Sequence, residues 1–423
     1  MMKKSIDGVA LRGKRVLVRV DFNVPLDAAQ HVTDDTRIRA ALPTIRRILE
    51  EGGRVILISH LGRPDEEPEA KAKYSLAPVA GRLSDLIARP VRFVQDCVGP
   101  EVRHAVAEMR DGSVLLLENL RFHEAEVIKD KNAAKDPALR EAKDAFARQL
   151  ASLADVYVND AFGTCHRDNA SMLTVPQMMT GKPKVVGYLV RKELEYLGAA
   201  IHAPKRPFVC VLGGAKVSDK IRVIERLLER CDALLIGGAM MFTFWGAEGH
   251  PVGKSRVEPD AFDLARRLRA EAGPKLRVPT DCVAADRIAS DAATTVCAIE
   301  GASGAAGEGG RGVPAPLMGL DIGPATIATF ESVLSTAVTI VWNGPMGVFE
   351  TPPFDRGTRA VARAMSQATQ RDAITIVGGG DSAAAVTQAG LAPMMTHVST
   401  GGGASLEFLE GKSFAALEVL DDA

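Results

Sequence analysis

The amino-acid sequence predicts an α/β protein of two domains, each built on a parallel sheet. Short apolar runs alternate with helical patterns along nearly the whole chain, which is typical of parallel βαβ units. A chain of 423 residues exceeds what one hydrophobic core usually organises, so two domains are expected. Arg, His, Asn and Asp follow the strands of the first half, whereas Gly-Gly follows those of the second. Because ligands of open α/β sheets bind beyond the carboxyl ends of the strands, two chemically different sites are expected.

The individual strands and helices are predicted from apolar runs and their flanking residues. In the first half, strands are predicted at 15–20, 54–60, 91–94, 113–119 and 155–160, and helices at 36–51 and 137–153. In the second half, strands are predicted at 207–214, 233–238, 339–344, 374–380 and 396–403. The segment 186–201 has helical periodicity between two prolines and is predicted to connect the domains. The segment 300–316, rich in Gly, Ala and Ser, is predicted to be a mobile loop.

Composition excludes several classes of protein. The formal net charge is −1, so nothing global attracts nucleic acid or an anionic membrane. No uncharged stretch offers an unbroken apolar span of ~20 residues, and the first residues lack the apolar core of a signal peptide, so we expect a cytoplasmic protein. The six cysteines form no C-x-x-C pair and the eight histidines show no metal-ligand spacing. That distribution favours reduced thiols over a disulfide framework or a zinc site.

An anion site is predicted in the first domain. The first strand, within "RVLVRVDFNVPL", ends in Asp21 and Asn23. Further polar groups follow other strands or begin the next helix: Arg37, His60, Arg63, Arg121, His166 and Arg167. Taken singly, each arginine is more often part of a surface ion pair than of a binding site. Several guanidinium groups that converge are costly unless an anion neutralises them, and they suit carboxylate or phosphate. Asp21 and Asn23 are then expected to orient the arginines and to hydrogen-bond a substrate hydroxyl.

A phosphate site is predicted in the second domain at "VLGGAKVSDKI". Gly213, Gly214, Lys216 and Lys220 lie at a strand-to-helix turn, where backbone N–H groups and the helix dipole attract phosphate. Lys216 and Lys220 share a helix face if that helix begins by Lys216. A purely structural Gly-Gly turn is the alternative.

Two other glycine-rich segments of the second domain partly match known nucleotide-binding motifs. The segment 249–255 is one residue too short for a P-loop. The segment 378–383 fits G-x-G-x-x-A but lacks an acidic residue ~20 positions later, so a dinucleotide site is disfavoured. Asp381 beside a phosphate implies a bridging magnesium ion, and a helix N-cap is its alternative role.

Ten motifs together resemble the phosphoglycerate kinase family. In chain order they are "RVDFNVPL", "SHLGRP", "KYSLAPVA", "LLLENLRFH", "NDAFGTCHR", "LGGAKVSDKI", "MGLDIGP", "WNGPMGVFE", "VGGGDSAAA" and "STGGGASLEFLEGK". The resemblance covers essentially the whole chain. It implies two Rossmann-like lobes with parallel sheets, joined by a helix and separated by a cleft. It also implies phosphoryl transfer between 1,3-bisphosphoglycerate and ADP, giving 3-phosphoglycerate and ATP.

The resemblance implies roles for particular residues. The phosphoglycerate-binding set is Asp21, Asn23, Arg37, His60, Arg63, Arg121 and Arg167. The nucleotide-binding set is Gly214, Lys216, Lys220, Gly238, Gly319, Asn343, Glu350, Gly379, Gly380, Asp381 and Ser382, with Glu350 on the ribose and Asp381 on Mg²⁺. Arg37, Lys216 and Lys220 are the catalytic candidates. The implied domains are 1–184 completed by 411–423, a helix at 185–201, and 202–410, in a monomer.

The sequence departs from the family pattern at few positions. Asp168 and Asn169 stand where the family usually has Ala and His, and an extra carboxylate there could weaken the attraction of Arg167 for substrate. Leu317 replaces a common Trp, which could change packing beside the adenine. A catalytically silent nucleotide-binding scaffold is the alternative function, and a nicotinamide dehydrogenase is a weaker third.

Overall fold

The computed structural model describes residues 3–64, 72–299 and 311–423. The chain divides into two compact units, one of Met1–Glu195 with Ser413–Ala423 and one of Tyr196–Lys412. The C-terminal residues Ser413–Ala423 therefore belong to the first unit. Most of the loop predicted at 300–316 lies outside the described residues.

The regular elements alternate along the chain as the βαβ pattern predicts. The strands are β1 Arg15–Val20, β2 Arg54–Ile58, β3 Val91–Val94, β4 Val114–Leu117, β5 Val156–Asp160, β6 Lys184–Val186, β7 Phe208–Leu212, β8 Ala233–Ile236, β9 Leu276–Arg277, β10 Asp281–Ala285, β11 Thr295–Ala298, β12 Met318–Ile322, β13 Thr339–Asn343, β14 Ile374–Gly378 and β15 His397–Val398. The helices are α1 Thr36–Glu50, α2 Ala77–Ile87, α3 Pro100–Ala107, α4 Asp130–Ala133, α5 Pro137–Ser152, α6 Val175–Met178, α7 Tyr188–His202, α8 Ile221–Leu228, α9 Met240–Ala247, α10 Phe262–Ala272, α11 Pro324–Ser335, α12 Arg356–Thr369, α13 Gly380–Gln388, α14 Gly403–Leu409 and α15 Ala415–Glu418.

The first unit contains a six-stranded parallel sheet in the order β3-β4-β2-β1-β5-β6. Its central strand β1 is buried on both faces. Val16, Val18 and Val20 belong to one large apolar core, as the period-two pattern predicts. Arg19 points to the opposite face and is 1% exposed. Loops after β1, β2, β4 and β5 therefore leave the sheet at its common carboxyl edge.

The second unit contains two sheets, one of which was not predicted. A six-stranded parallel sheet has the order β15-β14-β13-β7-β8-β9. A three-stranded antiparallel sheet has the order β11-β10-β12. The expectation of parallel sheets alone is therefore incomplete. The strands β10 to β12 are short, and their apolar and polar residues alternate only weakly, so the sequence pattern did not reveal this sheet.

The connecting helix α7 begins later than predicted. Residues Lys184–Val186 form the edge strand β6, which pairs with β5. The Asp160 carboxylate accepts hydrogen bonds from the backbone N–H of Leu189 at 2.9 Å and of Val190 at 3.4 Å. This contact caps the first turn of α7 from a distant strand, so the helix starts at Tyr188 rather than at 185 or 186.

Two glycines of the second unit allow backbone loops to approach closely. A Cβ atom on Gly213 would lie 1.9 Å from the carbonyl oxygen of Pro345. Gly238 has φ +67°, and its Cβ would lie 2.4 Å from the backbone nitrogen of Gly214. The loops after β7, β8 and β13 can meet only because these positions lack a side chain. Among the described residues, no helix has the length and apolar character needed to cross a membrane.

Candidate active site

Polar side chains of the first unit converge where β1 and β2 end. Asp21 accepts a hydrogen bond from Arg37 Nη1 at 3.1 Å, so the strand end and the first turn of α1 are joined by an ion pair. His60 is 4% exposed. Its Nδ1 lies 3.9 Å from the other oxygen of Asp21. Asp21 thus orients the Arg37 guanidinium and lies close to the imidazole of His60.

The buried imidazole of His60 is surrounded by positive charge. Burial lowers its pKa well below the ordinary value, and the nearby guanidinium groups of Arg19, Arg121, Arg167 and Arg37 lower it further. His60 is therefore neutral at physiological pH. Four arginines close to one histidine form a strongly positive region, which is costly to assemble without an anion.

Asn23 and Arg121 are linked through one backbone unit. The side-chain oxygen of Asn23 accepts a hydrogen bond from the N–H of Gly62 at 2.8 Å, and Arg121 Nη1 donates to the carbonyl of Gly62 at 2.5 Å. Gly62 precedes Arg63 and has φ +59°, so a side chain there would be strained. Asn23 and Arg121 thus both hold the loop that carries Arg63.

A cavity of about 810 Å³ opens beside this cluster. Its lining includes Arg63, Arg121, Lys129, His166 and Arg167, together with Phe414 from the C-terminal segment. The structure therefore brings the seven residues of the predicted anion site together in one region of the first unit. Three of its arginines, Arg63, Arg121 and Arg167, line the cavity.

Arg19 was not predicted as a site residue. Its Nε donates to Ser171 Oγ at 3.0 Å, and its Nη2 lies 3.3 Å from His60 Nδ1. Ser171 in turn donates through its hydroxyl to Glu126 at 2.6 Å. Arg19 is buried and positions His60 and Ser171 from the sheet side of the cluster. The sequence feature that could have identified it is a charged residue inside an otherwise apolar strand.

Asp168 is held by a backbone contact outside the arginine cluster. Its Oδ2 accepts a hydrogen bond from the N–H of Asp130 at the start of α4, at 2.7 Å. The buried Lys143 ammonium donates to the carbonyl of Asp168 at 2.6 Å and to the Asp130 carboxylate at 2.7 Å. Asp168 therefore caps the start of α4 through its side chain. It is also one of the residues that line the basic cavity.

The second unit has a cavity of about 500 Å³ at the carboxyl edge of its sheets. Five predicted residues line it: Gly214, Gly238, Gly319, Glu350 and Asp381. Its lining also includes residues that were not predicted: Met241, Phe242, Lys254, Arg256, Ile288 and Asp321. A Cβ atom on Gly319 would lie 2.0 Å from Phe242 Cζ, so glycine lets the tip of that ring approach β12 closely. The apolar side of the cavity suits a planar aromatic group.

Asp321 is a buried carboxyl group at this cavity. Burial raises its pKa to about 8, against hydrogen bonds that it accepts from the backbone. One of these comes from the N–H of Gly357 at the start of α12, at 2.7 Å. Asp321 therefore joins β12 to α12 at the wall of the cavity.

Lys220 and Asn343 form a polar contact between the ends of β7 and β13, outside the lining of this cavity. The Lys220 ammonium donates to the carbonyl of Gly213 at 2.6 Å and to Asn343 Oδ1 at 2.8 Å. Burial lowers its pKa to about 8, although the charges of Asp381 and Asp219 favour the protonated form. The side-chain nitrogen of Asn343 is buried and has no hydrogen-bond partner within the described residues.

Lys216 and Lys220 do not share a helix face, because the helix does not begin by Lys216 as that arrangement required. Residues Ser218–Lys220 form a 3₁₀ turn, and α8 begins only at Ile221. The Glu258 carboxylate accepts hydrogen bonds from the N–H groups of Val217 and Ser218, at 2.6 and 3.2 Å. This distant acid fixes the tighter turn, so Lys216 precedes any helix and does not line the cavity.

The remaining predicted residues lie where β14 meets α13. Gly379 has φ +90° and is the N-cap of α13, without a side-chain cap, so the alternative N-cap role for Asp381 is wrong. A Cβ atom on Gly379 would lie 2.8 Å from Asn343 Nδ2. Gly380 begins the helix, and Ser382 Oγ accepts a hydrogen bond from the N–H of Gly344 at 2.6 Å. Asp381 is exposed at the cavity rim, where its charge acts on Lys220.

Comparisons with known proteins agree with this architecture. The model of the family described as phosphoglycerate kinase matches residues 6–412. The phosphoglycerate kinase of Rhodopirellula baltica is 52% identical over 423 residues, covering 100% of both chains, and that of Chlorobium chlorochromatii is 50% identical over 426 residues with the same coverage. The solved structure of the Coxiella burnetii phosphoglycerate kinase aligns with a TM-score of 0.81 at 38% identity, covering 99% of this chain and 98% of that one. The chain belongs to the phosphoglycerate kinase family.

Proposed function

We propose that the two residue sets described above carry out the reaction of the family, with phosphoglycerate in the first unit and the nucleotide in the second. As a phosphoglycerate kinase the chain is a phosphotransferase with a carboxyl group as acceptor. It moves a phosphoryl group reversibly between 1,3-bisphosphoglycerate and ADP, giving 3-phosphoglycerate and ATP. The silent-scaffold alternative is not favoured, since the arginines of one set and Lys216 and Lys220 of the other are all present.

One observation carries the substrate assignment. The charges of four guanidinium groups lower the pKa of the buried His60, and a basic cavity lies beside them. A phosphoglycerate carries both a phosphate and a carboxylate, and arginine binds each through paired N–H donors. Asp21 and Asn23 offer acceptors and an amide at the same place, which suits the hydroxyl of a glycerate. The neutral imidazole of His60 can contact this anion-rich ligand without adding to the charge of the cluster.

The cavity of the second unit supports nucleotide binding. Phe242 and Met241 provide an apolar side for a base, Glu350 is an exposed acceptor suited to ribose hydroxyls, and Gly380 opens a helix whose N–H groups can receive phosphate. Asp381 fits magnesium, because an exposed carboxylate at a phosphate site is the hard oxygen ligand this ion takes while keeping several waters. When bound, the ion would neutralise charge on the phosphate oxygens.

The mechanism requires charge and position rather than a general base. The acceptor carboxylate has no proton to lose when it attacks phosphorus, so no residue needs to remove one. We assign stabilisation of the moving phosphoryl group to Arg37, Lys216 and Lys220. Lys220 is pre-positioned by two carbonyl-type acceptors, so its charge needs no rearrangement when the reaction occurs. Because the two sets belong to different units, transfer requires a conformation in which the substrates meet and water is excluded.

A coupled assay with 3-phosphoglycerate and Mg-ATP, following ADP release by the purified full chain, tests the function directly. We expect ADP release that requires both substrates and Mg²⁺. Arg121→Ala is expected to lower kcat/KM for 3-phosphoglycerate by roughly 10²-fold, since a buried charged donor is lost. Arg92→Ala is the matched control, because Arg92 is an exposed arginine paired with Glu108 at 2.8 Å away from the cavity. ADP release independent of 3-phosphoglycerate, or equal effects of both variants, would contradict the assignment.

A further inference from the structure

Three metal-ligand side chains meet at the edge of the first unit's sheet. Asp96 and Cys97 follow β3, and His123 follows the short 3₁₀ helix Leu120–Phe122 after β4. Because β3 and β4 are parallel neighbours, the loops at their carboxyl ends lie side by side. One ligand atom from each residue lies within 4.8 Å of the other two. This grouping is separate from the residues that line either cavity.

We propose that Asp96, Cys97 and His123 form a binding site for one divalent cation of the borderline class, such as Zn²⁺. A carboxylate oxygen, a sulfur and an imidazole nitrogen are the donors that zinc takes in proteins, whereas magnesium and calcium prefer oxygen alone. Three protein ligands leave the fourth tetrahedral position for water. The site therefore differs in chemistry from the magnesium position proposed at Asp381.

The geometry needs only a small adjustment to accept a cation. Ligand atoms around a tetrahedral zinc ion lie roughly 3.5 Å apart, given bond lengths of about 2.0–2.3 Å. Asp96 Oδ1 and His123 Nε2 are now 2.7 Å apart and would separate slightly. The ligand atoms lie within 4.8 Å of one another, so the sulfur has to approach by at most about 1.3 Å.

The surroundings suit an ion that enters from solvent. The side chains of His123 and Asp96 are 33% and 47% exposed, whereas Cys97 is fully buried. Cys97 thus closes the inner side and the other two ligands face outward. Asp96 Oδ1 also accepts hydrogen bonds from the N–H groups of Cys97 and Val98, at 2.6 and 3.3 Å, and the His123 ring packs against Phe146 with centroids 5.2 Å apart. Such outer contacts orient metal ligands before binding.

Acidic neighbours add to the attraction for a cation. Burial raises the pKa of the Cys97 thiol well above its usual value, and the charges of Asp96, Glu126 and Glu118 raise it further. Cys97 binds a metal as the thiolate, so its proton leaves to solvent when the cation binds. The geometry of the three side chains carries the site. The bound ion would also tie the β3 loop to the segment that carries Arg121, two residues before His123.

Cobalt is the most direct probe, because a Co²⁺ ion bound to a thiolate absorbs light through sulfur-to-metal charge transfer. The full-length protein, stripped with a chelator and free of nucleotide, is titrated with Co²⁺ in the presence of excess Mg²⁺. We expect near-ultraviolet charge-transfer bands that saturate at one Co²⁺ per chain, and loss of the bands when Zn²⁺ is added.

Variants connect the signal to the three residues. Cys97→Ser should abolish the charge-transfer bands, and His123→Gln should weaken Co²⁺ binding by roughly 100-fold or more, since even loss of an outer partner costs 10–100-fold. His104→Gln is the matched control, because His104 pairs with Glu108 at 3.2 Å without a cysteine, and this variant should bind as the original chain does. Absence of the bands in the unmodified protein would overturn the proposal, whatever the folding of the variants. Bands that persist in Cys97→Ser would overturn it as well.

Discussion

Replacing Lys220 by methionine removes one charge from the centre of the proposed reaction while keeping most of the side-chain volume. The ammonium group of Lys220 donates to Gly213 O at 2.6 Å and to Asn343 Oδ1 at 2.8 Å, at the carboxyl ends of β7 and β13. If this charge stabilises the phosphoryl group during transfer, its loss should lower kcat by roughly 10²–10³-fold, the effect of deleting one pre-positioned donor. Nucleotide affinity should change little, because the ground-state nucleotide keeps its other contacts.

The stability of the same variant can be worked out from two opposing contributions. The pKa of Lys220 falls from 10.5 to about 8 in the folded protein, so keeping it charged at neutral pH costs about 3 kcal/mol. Methionine removes that cost, but leaves Gly213 O and Asn343 Oδ1 without their donor, which costs about 1–3 kcal/mol for each acceptor, or about 2–6 kcal/mol together. The net effect then runs from about 1 kcal/mol stabilising to about 3 kcal/mol destabilising, so the melting temperature should change by less than about 10 °C.

Steady-state kinetics, calorimetric ADP binding and a melting curve together test this reasoning. Lys275→Met serves as the control, because Lys275 is an exposed lysine of the same unit, with its Nζ 3.5 Å from Leu228 O. A Lys220→Met protein that folds and has a kcat within about threefold of the unmodified enzyme would refute the transition-state role. Since Lys220 must be protonated to act, kcat/KM of the unmodified enzyme should also fall as the pH rises through about 8.

Three further outcomes are expected. Arg63→Ala should weaken 3-phosphoglycerate binding, and titrations at rising ionic strength should show this loss shrinking, as for an exposed anion contact; a salt-independent loss would argue against it. Asp381→Asn should weaken Mg-ADP binding far more than metal-free ADP binding, and equal weakening in calorimetry would exclude the metal role. Asp155→Asn should destabilise the protein by about 1 kcal/mol at pH 7, because its ion pair with Arg15 is about a third exposed, 34% for each side chain. The pKa of Asp155 is lowered to about 2 by that partner, so the stabilisation is complete above the unfolded value of 3.8 and is lost as the pH falls through about 2. Urea unfolding should therefore separate this variant from the original chain clearly at pH 7 and much less at pH 2.

The sequence by itself determined the fold class and the meeting place of the anion-binding residues. Alternating apolar residues identified β1, and repeated strand-helix units implied parallel sheets. Parallel strands end at one edge, so residues after β1, β2, β4 and β5 had to converge there. Asp21, His60, Arg121 and Arg167 could be grouped for that reason, without knowledge of any contact.

Tertiary structure alone decided where several elements begin and which distant groups meet. The first turn of α7 is capped by Asp160 of β5, and the turn at Ser218–Lys220 is held by Glu258, 40 residues later along the chain. Neither contact leaves a trace in local periodicity. The same holds for the antiparallel pairing of β10 with β11 and β12.

The grouping of Asp96, Cys97 and His123 shows the physical reason most directly. The spacing of the cysteines and histidines along the chain contains no metal-binding pattern, yet the pairing of β3 with β4 places the three side chains within 4.8 Å. Local sequence patterns report the preferences of neighbouring residues. Contacts between residues far apart along the chain depend instead on the register and packing of whole strands, which form only when the entire sheet is assembled.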